Sequence, residues 1–198
     1  GMLVLNDTRL WETAWAYKDH GKSFDAVFKR EHPPGFRWLH ESFGSNFRMT
    51  EMQAAIGRRQ LAKLPQWLAV RRRNAAALDA GFAAIPGLRV VRPPRGFGHA
   101  YYKYYAFVEA GFLAAGWDAT RIIEAINAEG VPCFAGSCSE IYRERAFAER
   151  GWGPPRRLPV AQRLGETSLM FLVHPTLGDA EMADTVGAVR KVMQAAAR

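Results

Sequence analysis

The chain has 198 residues, 48% of them apolar, and carries a formal net charge of +8. This length and composition allow one good core or two small ones and exclude an intrinsically disordered chain. No run of about 18 uncharged apolar residues occurs, and Asp7, Glu12 and Asp19 interrupt any leader. We therefore expect no membrane span, no signal peptide and a cytoplasmic location.

The basic charge raises the question of nucleic-acid binding, because Lys and Arg supply a salt-dependent attraction to phosphates. The basic residues are scattered, and the densest run, Arg71–Arg73, lies on a predicted helix where a solvated face explains it. No helix-turn-helix or zinc-finger spacing is present. Cys133 and Cys138 lie far from any paired His or Cys set, so we expect free thiols and no metal.

The first 43 residues predict a strand, a helix and a loop. The run MLVLN (residues 2–6) predicts the strand, and Asp7 occupies the N-cap position of a helix that ends at Gly21. Residues 22–43 contain Pro-Pro-Gly, which predicts a long loop whose aromatic side chains pack against the rest of the protein. Those rings are Phe36, Trp38 and Phe43.

A long helix follows, with Thr50 as its cap and apolar residues recurring at threes and fours as far as Phe82. Pro65 interrupts this pattern, because a proline inside a helix removes one backbone hydrogen bond and clashes with the preceding turn. The sequence therefore predicts a kink or a break near residues 61–65.

The remainder of the chain alternates short strands with helices. Strands are predicted at residues 88–91, 101–109, 131–134 and 168–173. Helices are predicted from Asp118 to Gly130, near residues 139–149 and 159–165, and from about residue 178 to the end. This order predicts an α+β fold, with helices covering one side of a small, largely antiparallel sheet.

The stretch GSNFRMT (residues 44–50) places Asn46 and Arg48 two residues apart, directly before the long helix. In an extended segment these two side chains point to the same side, while Phe47 points to the other, toward apolar packing. Amide and guanidinium donors beside the positive end of a helix suit a phosphate group. A helix-capping loop with a surface arginine explains the same residues, so the motif alone leaves both interpretations open.

Longer stretches around this motif resemble the DegT/DnrJ/StrS family of pyridoxal-phosphate sugar aminotransferases. GSNFRMTEMQAAIGRRQLAKL and WLAVRRRNAAAL match the family's Gly-x-Asn-x-Arg-Met segment, its Gln-Ala-Ala and Gln-Leu pairs and its Arg-rich turn. GMLVLND, DHGK, HAYYKYYAFV and SLMFLVHPTLGDAEM resemble further family blocks, so the likeness extends over nearly the whole chain. The Asn-x-Arg block is the most specific of these.

The resemblance implies a type I aminotransferase fold, in which a large domain holds the cofactor and a smaller C-terminal domain closes over it. It implies that these residues correspond to the C-terminal part of that fold. We therefore expect residues 1–48 to be a remnant of the large cofactor domain and residues 49–83 to be a long kinked linking helix. Residues 84–198 would then form the small α+β domain.

In that family the segment matching Asn46 and Arg48 reaches across a dimer interface to the cofactor phosphate of the other subunit. The resemblance implies pyridoxal phosphate, a nucleotide-sugar substrate, and a homodimer or an N-terminal cofactor-domain partner. From the scattered charge and the lack of a long apolar run we expect neither nucleic acid nor membrane as partner. The resemblance places the catalytic lysine upstream of the residue matching Met2, which implies that these residues are inactive alone. Lys103, in YYKYY, is more typical of a surface cation on a strand.

His99 and Tyr102 fall on the segment that resembles the family's His-aromatic strand, which implies a substrate-binding role. After the strand at residues 131–134, the family often carries a His-containing stretch near the sugar nucleotide, whereas this chain has AGSCSEIYRERAF. No substrate contact is therefore carried over to that stretch. Cys138 and Tyr142 either line a pocket or are a small buried thiol and a half-buried ring, and the second interpretation is favoured.

Two hypotheses from other classes remain open. A non-catalytic module that keeps the family's dimer surface predicts self-association through the long helix and the aromatic loop at residues 33–43. A basic nucleic-acid binder predicts salt-sensitive binding to any duplex.

Overall fold

The computed structural model of the chain describes residues 3–35 and 37–198, which fall into two compact units, Gly1–Ala62 and Lys63–Arg198. The α-helices are α1 (Thr8–Lys18), α2 (Phe24–Phe28), α3 (Glu51–Ala83), α4 (Ala119–Ala128), α5 (Arg145–Ala148), α6 (Pro159–Thr167) and α7 (Asp179–Ala196). The strands are β1 (Leu88–Val90), β2 (Tyr104–Val108), β3 (Cys133–Phe134) and β4 (Ser168–Phe171). Across the described ranges, no helix is both long and apolar enough to cross a membrane.

The first unit begins with α1 rather than with a strand. Asp7 caps this helix as predicted, because its Oδ1 accepts a hydrogen bond from the amide of Leu10 at 2.9 Å. The strand predicted at residues 2–6 is wrong for residues 3–6, which form no strand. Met2 lies outside the described residues.

The segment predicted as a long loop contains a helix, α2, which Ser23 caps through a hydrogen bond from the amide of Ala26 to its Oγ at 3.1 Å. Trp38 and Phe43 do not hold the segment down, because 82% and 101% of their surfaces are exposed. Phe36 lies outside the described residues. The rings that do pack together come from α1 and α2: Trp11, Trp15, Phe24 and Phe28, with centroids 4.8–6.1 Å apart.

Helix α3 begins with the cap that the sequence predicts. The amide of Gln53 donates to Thr50 Oγ1 at 3.3 Å, and the amide of Thr50 donates back to Gln53 Oε1 at 2.9 Å. This reciprocal pair is a capping box. Of the kink or break predicted near residues 61–65, the break is absent, since α3 continues through Pro65, and the kink stays a prediction.

The second unit is built on one sheet with the strand order β1-β2-β4-β3, in which every neighbouring pair is antiparallel. The register pairs Leu88 with Val108 and Tyr104 with Phe171. Burial alternates along β2, so that Tyr104, Ala106 and Val108 face the core. This arrangement confirms the predicted α+β class and the antiparallel sheet.

Helices α3, α4 and α7 supply the other side of this core. Its fully buried side chains include Leu78, Phe82, Tyr104, Ile122, Ile126, Leu169, Phe171, Val189 and Met193. Burying each large apolar side chain contributes about 1.5–3 kcal/mol to folding. The core also contains a buried amide, Asn74, whose Nδ2 donates to the carbonyls of Leu177 at 3.0 Å and His174 at 3.4 Å.

Two element boundaries differ from the predictions in ways that matter for function. Strand β2 begins at Tyr104 rather than at residue 101, because Tyr101 has a left-handed φ of 44° that a strand does not accommodate. The helix predicted near residues 139–149 is a 3₁₀ turn, Ile141–Arg143, followed by the four-residue α5. His99 and Tyr102 therefore lie in a turn before β2.

Candidate functional site

The loop that carries Asn46 and Arg48 is fixed by backbone hydrogen bonds to the end of α1. The amide of Ser45 donates to Tyr17 O at 2.7 Å, and the amide of Phe47 donates to Lys18 O at 2.9 Å. Asp19 and Asn46 face each other in an isolated antiparallel bridge. This pairing holds residues 45–47 against the end of α1.

Glycines allow this close approach. A Cβ on Gly44 would lie 2.6 Å from Tyr17 O, and one on Gly21 would lie 1.6 Å from Ser42 O. Gly21 also has a φ of +84°, which glycine adopts without steric cost. The loop can therefore lie against α1 only because both positions lack a side chain.

Asn46 and Arg48 are brought together by this geometry. Asn46 Oδ1 accepts hydrogen bonds from the backbone amide of Arg48 at 3.3 Å and from its Nε at 3.2 Å. Arg48 Nη2 lies 3.5 Å from Nε2 of His20. Within the part of the chain that the structure describes, Arg48 Nη1 and Asn46 Nδ2 have no hydrogen bond, and both side chains lie at an exposed position. These two donor groups can therefore face a ligand.

A buried carboxylate lies beside this loop. Oδ1 of Asp19 lies 3.5 Å from Arg48 Nε and 3.6 Å from Lys22 Nζ, and only 15% of the Asp19 side chain is exposed. Two cations around one carboxylate leave an excess of positive charge next to the Asn46 amide, which favours an anion. Sequence reasoning missed Asp19, although it stands in the DHGK stretch.

The start of α3 offers less than the sequence suggests. The capping box of Thr50 and Gln53 already satisfies the Gln53 amide, so the side-chain donors are the better ligands for an anion. Phe47, between Asn46 and Arg48, places its ring 6.0 Å from that of Tyr17 but remains 68% exposed. Its apolar packing is therefore partial.

The predicted substrate residues, His99 and Tyr102, lie in the second unit, whereas Asn46 and Arg48 belong to the first. His99 is exposed and accepts a hydrogen bond at Nδ1 from the amide of Tyr101 at 3.2 Å. Tyr102 is 77% exposed.

The turn at residues 99–102 is held by arginines of α3. Arg71 Nη1 donates to the carbonyls of Tyr101 and Tyr102, both at 3.0 Å, and Arg72 Nε donates to His99 O at 3.4 Å. Arg73 instead pairs with Asp179, with its Nε 3.3 Å from Oδ1. Arg72 and Arg73 are exposed, as the interpretation of the run as a solvated face requires, whereas Arg71 is half-buried.

A cavity of about 450 Å³ lies next to this turn, and its walls are mainly apolar and aromatic. His99 lines it together with Val91, Phe97, Tyr101, Tyr105 and Phe107, whereas Tyr102 does not. The cavity also borders Tyr104, whose hydroxyl donates to Asp79 Oδ1 at 2.7 Å. Burial and that hydrogen bond raise the pKa of Tyr104 well above its ordinary value, so it stays a neutral donor.

The stretch AGSCSEIYRERAF forms the rim of a second cavity, of about 460 Å³. Cys138 lines it and is exposed, so the favoured interpretation of Cys138 as a buried thiol is wrong, whereas Cys133 is buried. Tyr142 is half-buried and donates to Glu140 Oε1 at 2.6 Å. Hydrogen bonds from Arg157 and Tyr142 lower the pKa of Glu140 to about 2.

The six lysines of the chain differ in what lies next to them. Lys29 and Lys191 are paired with Asp25 and Glu129 at 2.9 and 2.7 Å. Lys18 Nζ lies 3.7 Å from the ring centroid of Trp15, and Lys103 Nζ lies 5.8 Å from that of Tyr102. Lys22 lies beside Asp19, and Lys63 is exposed. Among residues 3–35 and 37–198, no cluster of His, Cys, Asp or Glu could hold a metal ion.

Comparison with known proteins identifies relatives of this chain. The sequence model of the DegT/DnrJ/EryC1/StrS aminotransferase family matches residues 1–190. The L-glutamine:2-deoxy-scyllo-inosose aminotransferase of Streptomyces kanamyceticus is 34% identical over 170 residues, which are 78% of this chain and 39% of that protein.

Solved structures show the same fold. An aminotransferase from Psychrobacter cryohalolentis is 52% identical with a TM-score of 0.88, over 98% of this chain and 51% of that one. Helicobacter pylori PseC, described as an aminotransferase of pseudoaminic acid biosynthesis, has a TM-score of 0.79 at 22% identity, over 97% of this chain and 48% of that one. The chain thus spans about one third to one half of the length of the relatives it matches.

Proposed function

We propose that this chain, which belongs to the DegT/DnrJ/EryC1/StrS aminotransferase family, supplies the phosphate-binding loop and the small domain of a pyridoxal-phosphate-dependent nucleotide-sugar aminotransferase. The observation that carries the proposal is the placement of Asn46 and Arg48. One extended segment presents both side chains together beside a positively charged cluster.

The donor set of this loop fits a phosphate group. Arg48 contributes a charged fork, Asn46 contributes an amide, and neither Arg48 Nη1 nor Asn46 Nδ2 is hydrogen-bonded among the described residues. The repulsion between the Asp19 carboxylate and an anion is offset, because two cations, Arg48 and Lys22, lie beside that one carboxylate. Charge-assisted hydrogen bonds of this kind are about twice as strong as neutral ones.

Pyridoxal phosphate, when bound, supplies the electron-accepting ring through which an amino group is transferred. In this proposal Asn46 and Arg48 hold its phosphate across a dimer interface, and residues 84–198 close over the substrate. His99 and Tyr102 contact the nucleotide sugar from the turn before β2. The linking role falls to residues 49–83, and the dimer or an N-terminal cofactor domain provides the rest of the site.

We do not assign the catalytic lysine to any lysine of these 198 residues. A reactive lysine needs a neutral amine, which burial without a carboxylate partner favours. Lys29 has the opposite environment, because its hydrogen bond to Asp25 raises its pKa. Lys191 Nζ likewise lies 2.7 Å from a carboxylate oxygen, that of Glu129. We therefore expect these residues to bind the coenzyme weakly and to transfer no amino group by themselves.

The test is a titration of the chain with pyridoxal phosphate, in which tryptophan fluorescence reports binding. Arg48→Gln is expected to weaken binding about tenfold to a hundredfold, the cost of losing a hydrogen bond from a charged group. Arg58→Gln, an exposed arginine of α3 in the same unit, is the matched control and is expected to change affinity less than about twofold. If both variants lose the same affinity for pyridoxal phosphate, the loss reflects only the change in net charge. That result would contradict a phosphate clamp at Arg48.

Two further readings of the same sample test the rest of the proposal. A covalent lysine–coenzyme adduct, detected as a mass increase after borohydride reduction, or turnover of an amino donor would contradict the absence of a catalytic lysine. Light scattering separates the non-catalytic alternative: self-association without any coenzyme binding would favour an interaction module derived from the family.

A further inference from the structure

The turn at residues 99–102 has a backbone conformation that its own sequence does not favour. Tyr101 has a φ of 44°, in the left-handed region that bulky side chains avoid. Strained residues of this kind persist only where the surrounding structure imposes them, and they concentrate at functional sites. The contacts that impose this conformation therefore bear on the function of the turn.

Arg71 provides the strongest of these contacts. Its Nη1 donates to two consecutive carbonyls, Tyr101 O and Tyr102 O, at 3.0 Å each. Its Cζ also lies 5.9 Å from the ring centroid of Tyr102. One side chain thus fixes the orientation of two peptide planes and lies beside the ring that the turn exposes.

The other contacts to the turn are longer than the two hydrogen bonds from Arg71. Arg72 donates to His99 O at 3.4 Å, and the Tyr101 ring stacks on Tyr104 with centroids 6.4 Å apart. In the described ranges neither Arg71 nor Arg72 has a carboxylate within ion-pair distance, whereas Arg73 pairs with Asp179. The guanidinium of Arg71 therefore binds the carbonyls of the turn rather than a carboxylate.

We propose that Arg71 is a positioning residue for substrate binding: it holds the His99–Tyr102 turn in the strained form that presents the Tyr102 and His99 side chains to the nucleotide sugar. This inference rests on the proposed function. Without Arg71, the turn relaxes toward unstrained conformers, and the binding-competent fraction falls. Apparent affinity falls by that same fraction, so a tenfold drop in population weakens binding about tenfold.

The experiment compares Arg71→Met with Arg73→Met in the 198-residue chain. Both variants remove one guanidinium from the same run of α3, at positions two residues apart, but only the first removes the contacts to Tyr101 and Tyr102. Backbone ¹⁵N order parameters of residues 99–102 report the turn directly, and titration with UDP-glucose and dTDP-glucose reports binding. Thermal denaturation shows whether each variant is folded, and Arg71→Gln replaces Arg71→Met if the latter does not fold.

For Arg71→Met we expect order parameters to fall from the rigid range near 0.85 to below about 0.6. We also expect nucleotide-sugar affinity to fall about tenfold, while thermal denaturation shows that the variant is still folded. Arg73→Met should alter neither reading for the turn. A turn that stays rigid in Arg71→Met overturns the proposal, as does a mobile turn with unchanged affinity.

Failure of the proposed function gives a different pattern. If the wild-type chain binds neither nucleotide sugar while Arg71→Met loosens the turn, the substrate assignment is overturned and the inference fails with it. If the wild-type chain binds and Arg71→Met binds equally well, only the positioning role of Arg71 is overturned.

Discussion

The loop at residues 44–48 and the turn at residues 99–102 are held in different ways. The loop pairs its backbone with the end of α1, and two glycines permit the approach. The turn depends on side chains from α3, chiefly Arg71, which contact its carbonyls. Backbone pairing fixes a segment largely regardless of its side chains, so residues 46 and 48 are free to serve a ligand. Side-chain anchoring instead lets one substitution release the whole turn.

The largest loss of stability is expected from a substitution that disrupts the loop held by backbone hydrogen bonds. Gly21→Ala places a Cβ 1.6 Å from Ser42 O at a φ of +84°, so the segment must move away from α1. We expect a loss of about 3 kcal/mol or more from the stability of the first unit, measured by urea denaturation. Gly57→Ala is the control, because nothing lies within 4 Å of its Cβ, and this helical position should gain up to about 1 kcal/mol. Equal stability of the two variants would contradict the close approach.

A smaller loss of stability is expected beside the turn at residues 99–102, which side chains hold. Tyr104→Phe removes the hydroxyl that donates to Asp79 at 2.7 Å, next to the ring of Tyr101. A hydrogen bond to a charged group contributes about 1.5–3 kcal/mol, so denaturation should show a loss of that size. Tyr105→Phe, which loses only an exposed contact to Ser137 at 3.2 Å, should cost less than about 1 kcal/mol.

The smallest effect concerns pH and a third region, around Glu140, that belongs to neither the loop nor the turn. Hydrogen bonds from Arg157 and Tyr142 lower the pKa of Glu140 from 4.5 to about 2. Because the folded pKa is lowered, Glu140 stabilises the fold above pH 4.5, and this contribution is lost as pH falls toward 2. The stability difference between wild type and Glu140→Gln should therefore shrink over that range. A difference that is constant with pH would show that the charge of Glu140 contributes nothing.

Local chemistry made several elements predictable. Asp7, Thr50 and Asp118 cap their helices as the sequence indicates, because an N-cap depends only on the next three residues. The antiparallel sheet and its α+β setting also followed from strand order and apolar patterning. The Asn-x-Arg pair was visible because alternation in an extended segment is likewise local.

What was missed depends on contacts between distant residues. The start of β2 was misplaced because Arg71, 30 residues before Tyr101, holds the left-handed turn. The helix α2 was missed because five residues give too little periodicity to count, although Ser23 was available as its cap. Asp19 was missed because its burial depends on the pairing of two segments that are separate in sequence.

The measurement that tests the central claim most directly follows the side chains of Asn46 and Arg48 by NMR while coenzyme is added. Pyridoxal phosphate should shift the Asn46 Nδ2 and Arg48 Nε resonances, whereas pyridoxal, which lacks the phosphate, should leave both in place. If both compounds shift these resonances equally, or neither compound does, Asn46 and Arg48 do not form a phosphate clamp.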